Sequence, residues 1–341
     1  MSPLPRRASD SALALLRASQ VVDLHVDSFI WTRVFGYDLN VRHGVGPFGG
    51  RLLSQFDLPR AADGGWTGAM WSITTNPWRS ARGRARALER NVARLSQQLA
   101  AAGRARVVRT AAEFRQARAE GLHAALLAVQ GGNAFDRDET VLESGAISRV
   151  TLVHMTNSRV GATSSPLRLG RDTGLGPLGA TLVERLNASR TFVDLAHISR
   201  KGFFEAAELH DKTQPLIVTH TGVSAVHPSW RNLDDAQLKR VADTGGVIGV
   251  VFHGEYLSGH FWGGPLSAVV AHLAHVIDVA GEDAAALGSD WDGMIIPPAE
   301  LRSCDQLPLL VQALLDHGLS ERAVHKLLGE NFLRALAQLR G

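Results

Sequence analysis

The chain has 341 residues, of which 45% are hydrophobic and 20% are charged, a balance typical of an ordinary globular protein. Its 36 Lys and Arg residues against 33 Asp and Glu residues leave a net charge of only +3, and no pattern of aromatic side chains favours nucleic-acid binding. A single cysteine, Cys304, excludes an intrachain disulfide framework and a thiolate zinc cluster.

Membrane segments are also excluded by the sequence pattern. No apolar run approaches the ~20 residues that span a bilayer, and the apolar run at residues 12–16 is too short for a signal-peptide core. The last residues, 338–341, form no hydrophobic anchoring tail. We therefore expect a cytoplasmic protein without a membrane or nucleic-acid partner.

The predicted elements alternate between strands and helices along the chain. Residues 1–20 are predicted as a helical lead-in, and a Gly-rich stretch at 35–50 is too irregular for a helix. Strands are predicted near 21–25, 68–73, 124–129, 149–153, 191–195, 215–219, 246–252 and 285–289. Helices are predicted near 80–101, 111–120, 178–186, 234–244, 265–280, 304–317 and 320–339.

Eight strand–helix units in this order predict one α/β domain over residues 1–341, a closed (β/α)8 TIM barrel of the metallo-dependent hydrolase type. In this interpretation residues 300–341 form C-terminal helices packed on the barrel. The alternative is an open, doubly wound sheet, which should carry a Gly-rich phosphate turn after its first strand. Residues 25–28 occupy that position and contain no glycine.

Seven apolar, β-branched runs each end at a histidine, an aspartate or an amide. The end positions are His25 with Asp27, Gln130, His154, His197, His220, His253 and Asp290. Because the carboxyl ends of barrel strands meet on one face, this repeated placement predicts a single active site on that face.

The spacing of His25 and Asp27 predicts a metal-binding pair. Side chains at i and i+2 of a strand point to the same side, so the imidazole and the carboxylate are placed to chelate one cation. His197 and His220 end the fifth and sixth predicted strands, and two neutral imidazoles from neighbouring strands suit zinc or a similar divalent ion. Taken alone, either histidine is better explained as a hydrogen-bonded core residue, but the two together at the ends of neighbouring strands favour a metal site.

Asp290, at the end of the eighth predicted strand, is the candidate catalytic base. A carboxylate beside a metal-bound water accepts its proton and later passes it to a leaving amine. Asp292 is the alternative for this role, although its place before Gly293 is typical of a turn cap.

Three further side chains are candidate substrate-binding groups. The imidazole of His154 suits a carbonyl oxygen or a developing oxyanion, and the guanidinium of Arg231 suits a carboxylate. His253 is placed to line the side that receives the substrate's amino terminus. The alternatives are a surface arginine at 231 and a hydrogen-bonded rim residue at 253.

Several short motifs give the chain a specific resemblance. They are Val22-Asp23-Leu24-His25-Val26-Asp27, Val193-Asp194-Leu195-Ala196-His197-Ile198-Ser199, Val218-Thr219-His220-Thr221, Arg231-Asn232-Leu233-Asp234-Asp235, residues 288–293, and Gly329-Glu330-Asn331-Phe332-Leu333-Arg334. In this order and spacing, over residues 20–336, the chain resembles the renal-type (membrane) dipeptidase family.

The resemblance implies an amidohydrolase-type barrel whose binuclear zinc centre hydrolyses dipeptides, often with a D-residue at the C-terminal position. It implies that His25 and Asp27 hold one zinc ion and that His197 and His220 hold the other. It is also compatible with a homodimer.

The resemblance assigns roles to the remaining site residues as well. Asp290 would be the proton shuttle, His154 would bind the oxygen of the scissile carbonyl, and Arg231 would hold the substrate carboxylate. The expected substrate is a dipeptide or a similar small amide.

One position departs from the family pattern. The family's bridging metal ligand is a glutamate at the end of the third strand, whereas this chain has Gln130 followed by two glycines. A glutamine offers one neutral oxygen in place of two charged ones, and its amino group repels a cation. We therefore expect Gln130 to be a poorer ligand and at least one of the two zinc sites to be weak or empty.

Three functions remain open at this point. The first is a working metallo-dipeptidase with one or two metal ions. The second is a family member with altered chemistry or an unusual substrate. The third is a metal-poor, non-catalytic protein that binds a small peptide-like ligand.

Overall fold

The computed structural model describes residues 7–44, 53–137, 140–166 and 170–341. Residues 1–6 of the predicted lead-in and residues 45–50 of the Gly-rich stretch lie outside these ranges. The strands of the described residues are β1 (Val22–Val26), β2 (Gly68–Thr74), β3 (Ala105–Val107), β4 (His123–Gln130), β5 (Ile147–Thr151), β6 (Phe192–Asp194), β7 (Ile217–Thr221), β8 (Val247–Val250) and β9 (Ala285–Leu287).

The strands are parallel and form a sheet that closes on itself. Its order is β2-β1-β9-β8-β7-β6-β5-β4-β3, and a further pairing joins β2 to β4 from Gly68↔Ala124 to Thr74↔Gln130. The short strand β3 pairs only with the start of β4, so the other 8 strands make the barrel. The predicted (β/α)8 barrel is therefore confirmed, and the open sheet is excluded.

Helices cover the outside of the barrel. They are Asp10–Ala18, Phe29–Phe35, Leu58–Asp63, Ala81–Ala101, Ala111–Ala119, Thr140–Glu143, Pro177–Ala188, Arg200–Leu209, Asp235–Ala242, Gly254–Ser258, Leu266–Ala280, Leu307–Asp316, Glu321–His325 and Asn331–Arg340. Short 3₁₀ segments are Gly132–Phe135 and Cys304–Gln306. Several helices begin at side-chain caps, such as the capping boxes at Thr110 and Asp234, which satisfy the free backbone N–H groups of the first turn.

The predicted helix at 320–339 is interrupted. A π-helical segment, Lys326–Glu330, separates two α-helical pieces. A Cβ atom at Gly329 would lie 2.6 Å from the carbonyl oxygen of Gln20, so the backbone of this segment packs directly against the chain that enters β1. Periodicity alone does not reveal such a contact, because both kinds of helix bury a similar apolar face.

The core explains how the site is positioned. All residues of β1, β4 and β5 are buried, as parallel strands with covered faces require. Their carboxyl ends emerge on one face of the barrel, and the apolar side chains below hold them in register. None of the helices in the described ranges has the length and hydropathy needed to cross a lipid bilayer.

Candidate metal centre

The first strand and the last strand bring three candidate side chains together. The Nε2 atom of His25, in β1, lies 3.5 Å from Oδ2 of Asp27 and 3.6 Å from Oδ1 of Asp290. His25 is fully buried, and its Nε2 atom has no hydrogen-bond partner among the described residues. The position of the ring proton decides whether this nitrogen offers a lone pair to a cation or an N–H group to the two carboxyl groups.

The other imidazoles approach from the opposite side. The Nε2 atoms of His197 and His220 are 2.9 Å apart, and the ring of His220 lies 3.9 Å from that of His25 between centroids. Gln130, at the end of β4, has its Nε2 atom 3.3 Å from Nε2 of His197. The predicted metal-binding residues, which come from four different strands or strand ends, thus lie in one cluster.

This cluster fits a divalent cation. The ligand atoms of His25, His220 and Asp290 lie within 4.8 Å of one another. Burial lowers the pKa of His25, and burial with nearby positive charge lowers the pKa of His197 and His220 well below the usual range. The three imidazoles are therefore neutral, which is the form that binds a metal.

The two aspartates of the cluster have opposite electrostatic environments. Burial opposes the ionisation of Asp27, but His25 and the hydroxyl of Thr74 outweigh it and lower its pKa to about 2. Burial and the nearby charge of Asp27 raise the pKa of Asp290 well above its usual range. The environment thus favours the ionised form of Asp27 and the protonated form of Asp290, and such oppositely shifted carboxyl groups are typical of active sites.

Backbone strain is concentrated at these positions. His197, Asp290 and Asp292 adopt the left-handed conformation, with φ of 65°, 65° and 66°. This conformation is uncommon for residues with a side chain and persists where surrounding contacts enforce it. In Asp290 the contact is a hydrogen bond from its backbone N–H to the carbonyl oxygen of His25, at 3.0 Å.

Arg231 lies beside the histidines on one flank. Its side chain is buried and donates a hydrogen bond to the carbonyl oxygen of His220. A cavity of about 160 Å³ on this flank is lined by Arg231, His197 and Trp230, among others. This burial excludes the alternative of a surface arginine at 231.

His154 lies on the opposite flank. Its ring packs edge-on against that of His197 with centroids 4.7 Å apart, and burial lowers its pKa to about 4. It lines a second cavity of about 220 Å³, whose walls include Leu152, Val153 and Met155. The neutral imidazole therefore faces a largely apolar space next to the cluster.

His253 is buried after the end of β8. Its Nδ1 atom accepts a hydrogen bond from the backbone N–H of Ile296 at 3.1 Å, and its Nε2 atom lies 3.7 Å from Glu255. The ring also packs edge-on against Tyr256. These contacts join the loops after β8 and β9, and a contact with substrate stays a prediction.

Asp292 binds loop backbone. Its carboxylate accepts hydrogen bonds from the N–H groups of Gln55 and Phe56, at 2.9 and 3.2 Å, and from the hydroxyl of Ser28. The turn-cap interpretation from the sequence underestimates this reach, because the partners are more than 200 positions away. Its oxygens are engaged in holding the loop after β1 against the loop after β9.

Beneath the cluster lies a layer of charged residues that the sequence motifs did not assign to the site. Asp194 accepts hydrogen bonds from the N–H groups of Ala196 and Thr219, and Asp23 makes equivalent bonds to the N–H groups of His25 and Ser289. The repeated Val-Asp-Leu triplet at 22–24 and 193–195 was an available signal for both. A charged residue inside an apolar strand is rarely tolerated without partners.

Arg149 is the third member of this layer and was also missed. It is fully buried inside the barrel, where its Nη1 atom lies 3.2 Å from Oδ2 of Asp194. Its Nη2 atom lies 2.9 Å from Nδ1 of His25. No motif marks this position, since a lone arginine in a strand is ordinarily a surface residue.

This protein has a parallel barrel with histidines and carboxylates at its carboxyl face. That architecture is the one found in metal-dependent hydrolases. The chain matches the model of the membrane dipeptidase family, peptidase family M19, over residues 9–340. The protein belongs to this family, as the sequence motifs indicated.

Solved and curated relatives agree with this assignment. The crystal structure of dipeptidase AC, a metallopeptidase of family M19, has a TM-score of 0.83 and 30% identity and covers 94% of this chain and 98% of its own. A metallopeptidase from Rhodobacter sphaeroides, solved with a phosphinate mimic of the dipeptide L-Ala-D-Ala, has a TM-score of 0.82 and 28% identity and covers 94% and 99%. A Klebsiella pneumoniae protein, described as an uncharacterized protein in the pqqA 5′ region, is 33% identical over 244 residues, which are 69% of this chain and 89% of that protein.

Proposed function

We propose that this protein is a zinc-dependent dipeptidase that hydrolyses the amide bond of a dipeptide or a similar small amide. One observation carries the proposal. His154, which lines one cavity, packs against His197, which lines the other cavity together with Arg231, so both cavities border the histidine cluster. A substrate with a carboxylate at one end and a side chain at the other can therefore extend across the cluster.

The candidate metal ligands come from the histidine cluster and its neighbours. Under the family resemblance His25, Asp27, His197, His220 and Gln130 would hold the metal. When bound, a divalent cation supplies Lewis-acid polarisation of a carbonyl and lowers the pKa of a water molecule.

Proton transfer is assigned to Asp290. Burial and the charge of Asp27 raise the pKa of Asp290 well above its usual range, so this carboxyl group takes up a proton more readily than an ordinary aspartate does. In the proposed reaction it accepts the proton of the attacking water and passes it to the nitrogen of the leaving amine as the C–N bond breaks.

His154 and Arg231 orient the substrate. A neutral imidazole keeps one N–H, which His154 can donate to the carbonyl oxygen as negative charge develops there. Arg231 is proposed to bind the substrate's terminal carboxylate, because a guanidinium offers two parallel N–H donors to a carboxylate.

The test compares the zinc-loaded protein on L-Ala-D-Ala, on L-Ala-L-Ala and on the carboxamide of each. We expect hydrolysis of the free dipeptides and at least about tenfold lower kcat/KM for the carboxamides, as expected from the loss of one charge-assisted pair. Arg231→Lys should raise KM for the free dipeptides much more than for the carboxamides. Equal rates on all four compounds would contradict the assignment of Arg231.

A second candidate, a protein that binds a peptide-like ligand without turnover, is favoured by Gln130 alone. Calorimetric titration with a phosphinate mimic of L-Ala-D-Ala separates the two. Binding of the mimic without hydrolysis of any dipeptide supports the second candidate, whereas hydrolysis with turnover excludes it.

A further inference from the structure

We propose that this chain holds one divalent cation through His197, His220 and Gln130, and that Arg149 keeps His25 from acting as a ligand. The inference rests on the metal dependence proposed above and specifies the number of ions. It depends on which nitrogen of each imidazole carries the proton, because a ring nitrogen binds a metal only through its lone pair.

The contacts of His220 favour metal binding. The Oγ1 atom of Thr219 lies 2.8 Å from Oδ2 of Asp194 and 2.8 Å from Nδ1 of His220. A hydroxyl has one proton, and the carboxylate can only accept, so Thr219 donates to Asp194 and accepts from His220. Nδ1 of His220 therefore carries the proton, and its Nε2 lone pair faces Nε2 of His197 at 2.9 Å. Nδ1 of His197 has no hydrogen-bond partner among the described residues, so no contact fixes the proton of that ring, and it can move from Nε2 to Nδ1 when a cation binds.

The contacts of His25 have the opposite effect. Its Nδ1 atom lies 2.9 Å from Nη2 of Arg149, and a guanidinium has donors but no acceptor. Nδ1 must therefore supply the lone pair, and the proton of the neutral ring lies on Nε2. That N–H is directed at Asp27 and Asp290, at 3.5 and 3.6 Å, and has no lone pair for a metal.

The hydroxyl of Thr74 determines the orientation of the Gln130 amide. It lies 2.8 Å from Oδ1 of Asp27 and 3.0 Å from the amide of Gln130. Because ionised Asp27 takes the only hydroxyl proton, Thr74 must accept from the amide N–H. The oxygen and nitrogen of an amide exchange by a half-turn of the group, so the amide oxygen of Gln130 is the atom directed at His197.

Asp27 is engaged as well. One of its oxygens accepts from Thr74 and the other faces the Nε2–H of His25. Nε2 of His25 makes no hydrogen bond among the described residues, but with the ring proton on it this atom offers a cation no lone pair, and one oxygen of Asp27 is already bonded to Thr74. The distances from His25 to His220 and Asp290 do not show whether Nε2 of His25 has a lone pair, because they are the same for either position of the ring proton.

The charges of the site agree with a single ion. Gln130 contributes no negative charge, and the buried guanidinium of Arg149 lies directly behind His25. In a low-dielectric interior, a second dication next to a guanidinium is disfavoured by repulsion unless a bridging anion compensates for it. Asp194 pairs with Arg149 and is itself shared among several donors.

The test is the metal content of purified protein after equilibrium dialysis against Zn²⁺ or Co²⁺, measured by mass spectrometry of the metal. We expect one equivalent in the wild type, one in His25→Ala and none in His220→Ala. Gln130→Glu combined with Arg149→Gln should take up a second equivalent, because the glutamine can accept a hydrogen bond from Nδ1 of His25. Gln130→Glu with Arg149→Lys, which keeps a donor-only cation, is the matched control and should bind less of the second ion.

Two equivalents in the wild type, or loss of the metal in His25→Ala with its circular dichroism unchanged, would overturn the inference. Long-range ¹H–¹⁵N spectra of the metal-free wild type need no variant and must show His25 protonated at Nε2 and His220 at Nδ1; the reverse for either ring also overturns it. The readouts do not require turnover. One bound ion without hydrolysis would support the single-ion inference and refute the proposed dipeptidase activity. Hydrolysis with two bound ions would support the activity and refute the single-ion inference.

Discussion

The Nε2 atom of His25 lies 3.6 Å from Oδ1 of Asp290, which joins the first and the last barrel strand at the candidate site. The backbone supports this pair, because the N–H of Asp290 donates to the carbonyl oxygen of His25 at 3.0 Å. Closure of the barrel thus places a group that can exchange protons against the histidine cluster.

Replacement of Asp290 tests its role as the proton carrier. Asp290→Asn keeps the size of the side chain but cannot accept a proton, so we expect kcat for L-Ala-D-Ala to fall by ~10²–10⁴-fold. The zinc content should remain that of the wild type. Asp316→Asn, at an exposed helix position, is the control, and similar kcat values for both variants would refute the role.

Thr219 is expected to act on metal affinity through His220. Thr219→Val removes the hydroxyl that holds the Nδ1 proton of His220, so zinc affinity should fall by ~10–100-fold. Thr219→Ser retains the hydroxyl and should bind nearly as tightly as the wild type. Competition with a chromogenic chelator measures both dissociation constants, and equal affinity of the valine and serine variants would show that the hydroxyl has no part in binding.

Asp292 predicts a specific pH dependence of stability. Burial raises its pKa from 3.8 to about 6, so between these values the folded state binds more protons than the unfolded state. The contribution of Asp292 is therefore fully present below pH 4 and is lost as the pH rises to 6, with a total of about 3 kcal/mol for a shift of about two units. Urea unfolding at several pH values measures the free energy of unfolding of the wild type and of Asp292→Asn. As the pH rises from 4 to 6, the wild type should lose stability relative to the variant, and a gain in its relative stability would contradict the prediction.

Gly288, directly after β9, is predicted to be required for the close contact with Thr219 in β7. A Cβ atom there would lie 1.7 Å from the carbonyl oxygen of Thr219, so Gly288→Ala forces β9 away from β7. We expect a loss of about 1–3 kcal/mol or more in stability, together with weaker zinc binding, since Thr219 precedes His220. A Cβ atom at Gly44 would meet no atom of the described residues within 4 Å, so Gly44→Ala serves as the control in thermal unfolding. Equal melting temperatures of the two variants would refute the prediction.

The strand ends could be predicted because their pattern is local. An apolar run followed by a histidine or a carboxylate is visible in the sequence at His25, His197 and Asp290, and barrel geometry brings such ends to one face. Arg149 could not be placed in this way. Whether the side chain of a strand residue points into the barrel or away from it depends on which face of the sheet the closed barrel encloses. That face is decided by pairing with strands that are distant in the chain.

The sequence motifs are enough to identify the family, the barrel and the groups at its carboxyl face, including Gln130 in place of a bridging glutamate. The partner that each of these groups contacts, in contrast, depends on how the barrel closes. His25 meets Arg149 and His220 meets Thr219, and the first pair joins residues on β1 and β5. The same side chain can present a proton or a lone pair to a metal, and its hydrogen-bond partner decides which, so the chemistry of these histidines is a property of the folded barrel rather than of the motif.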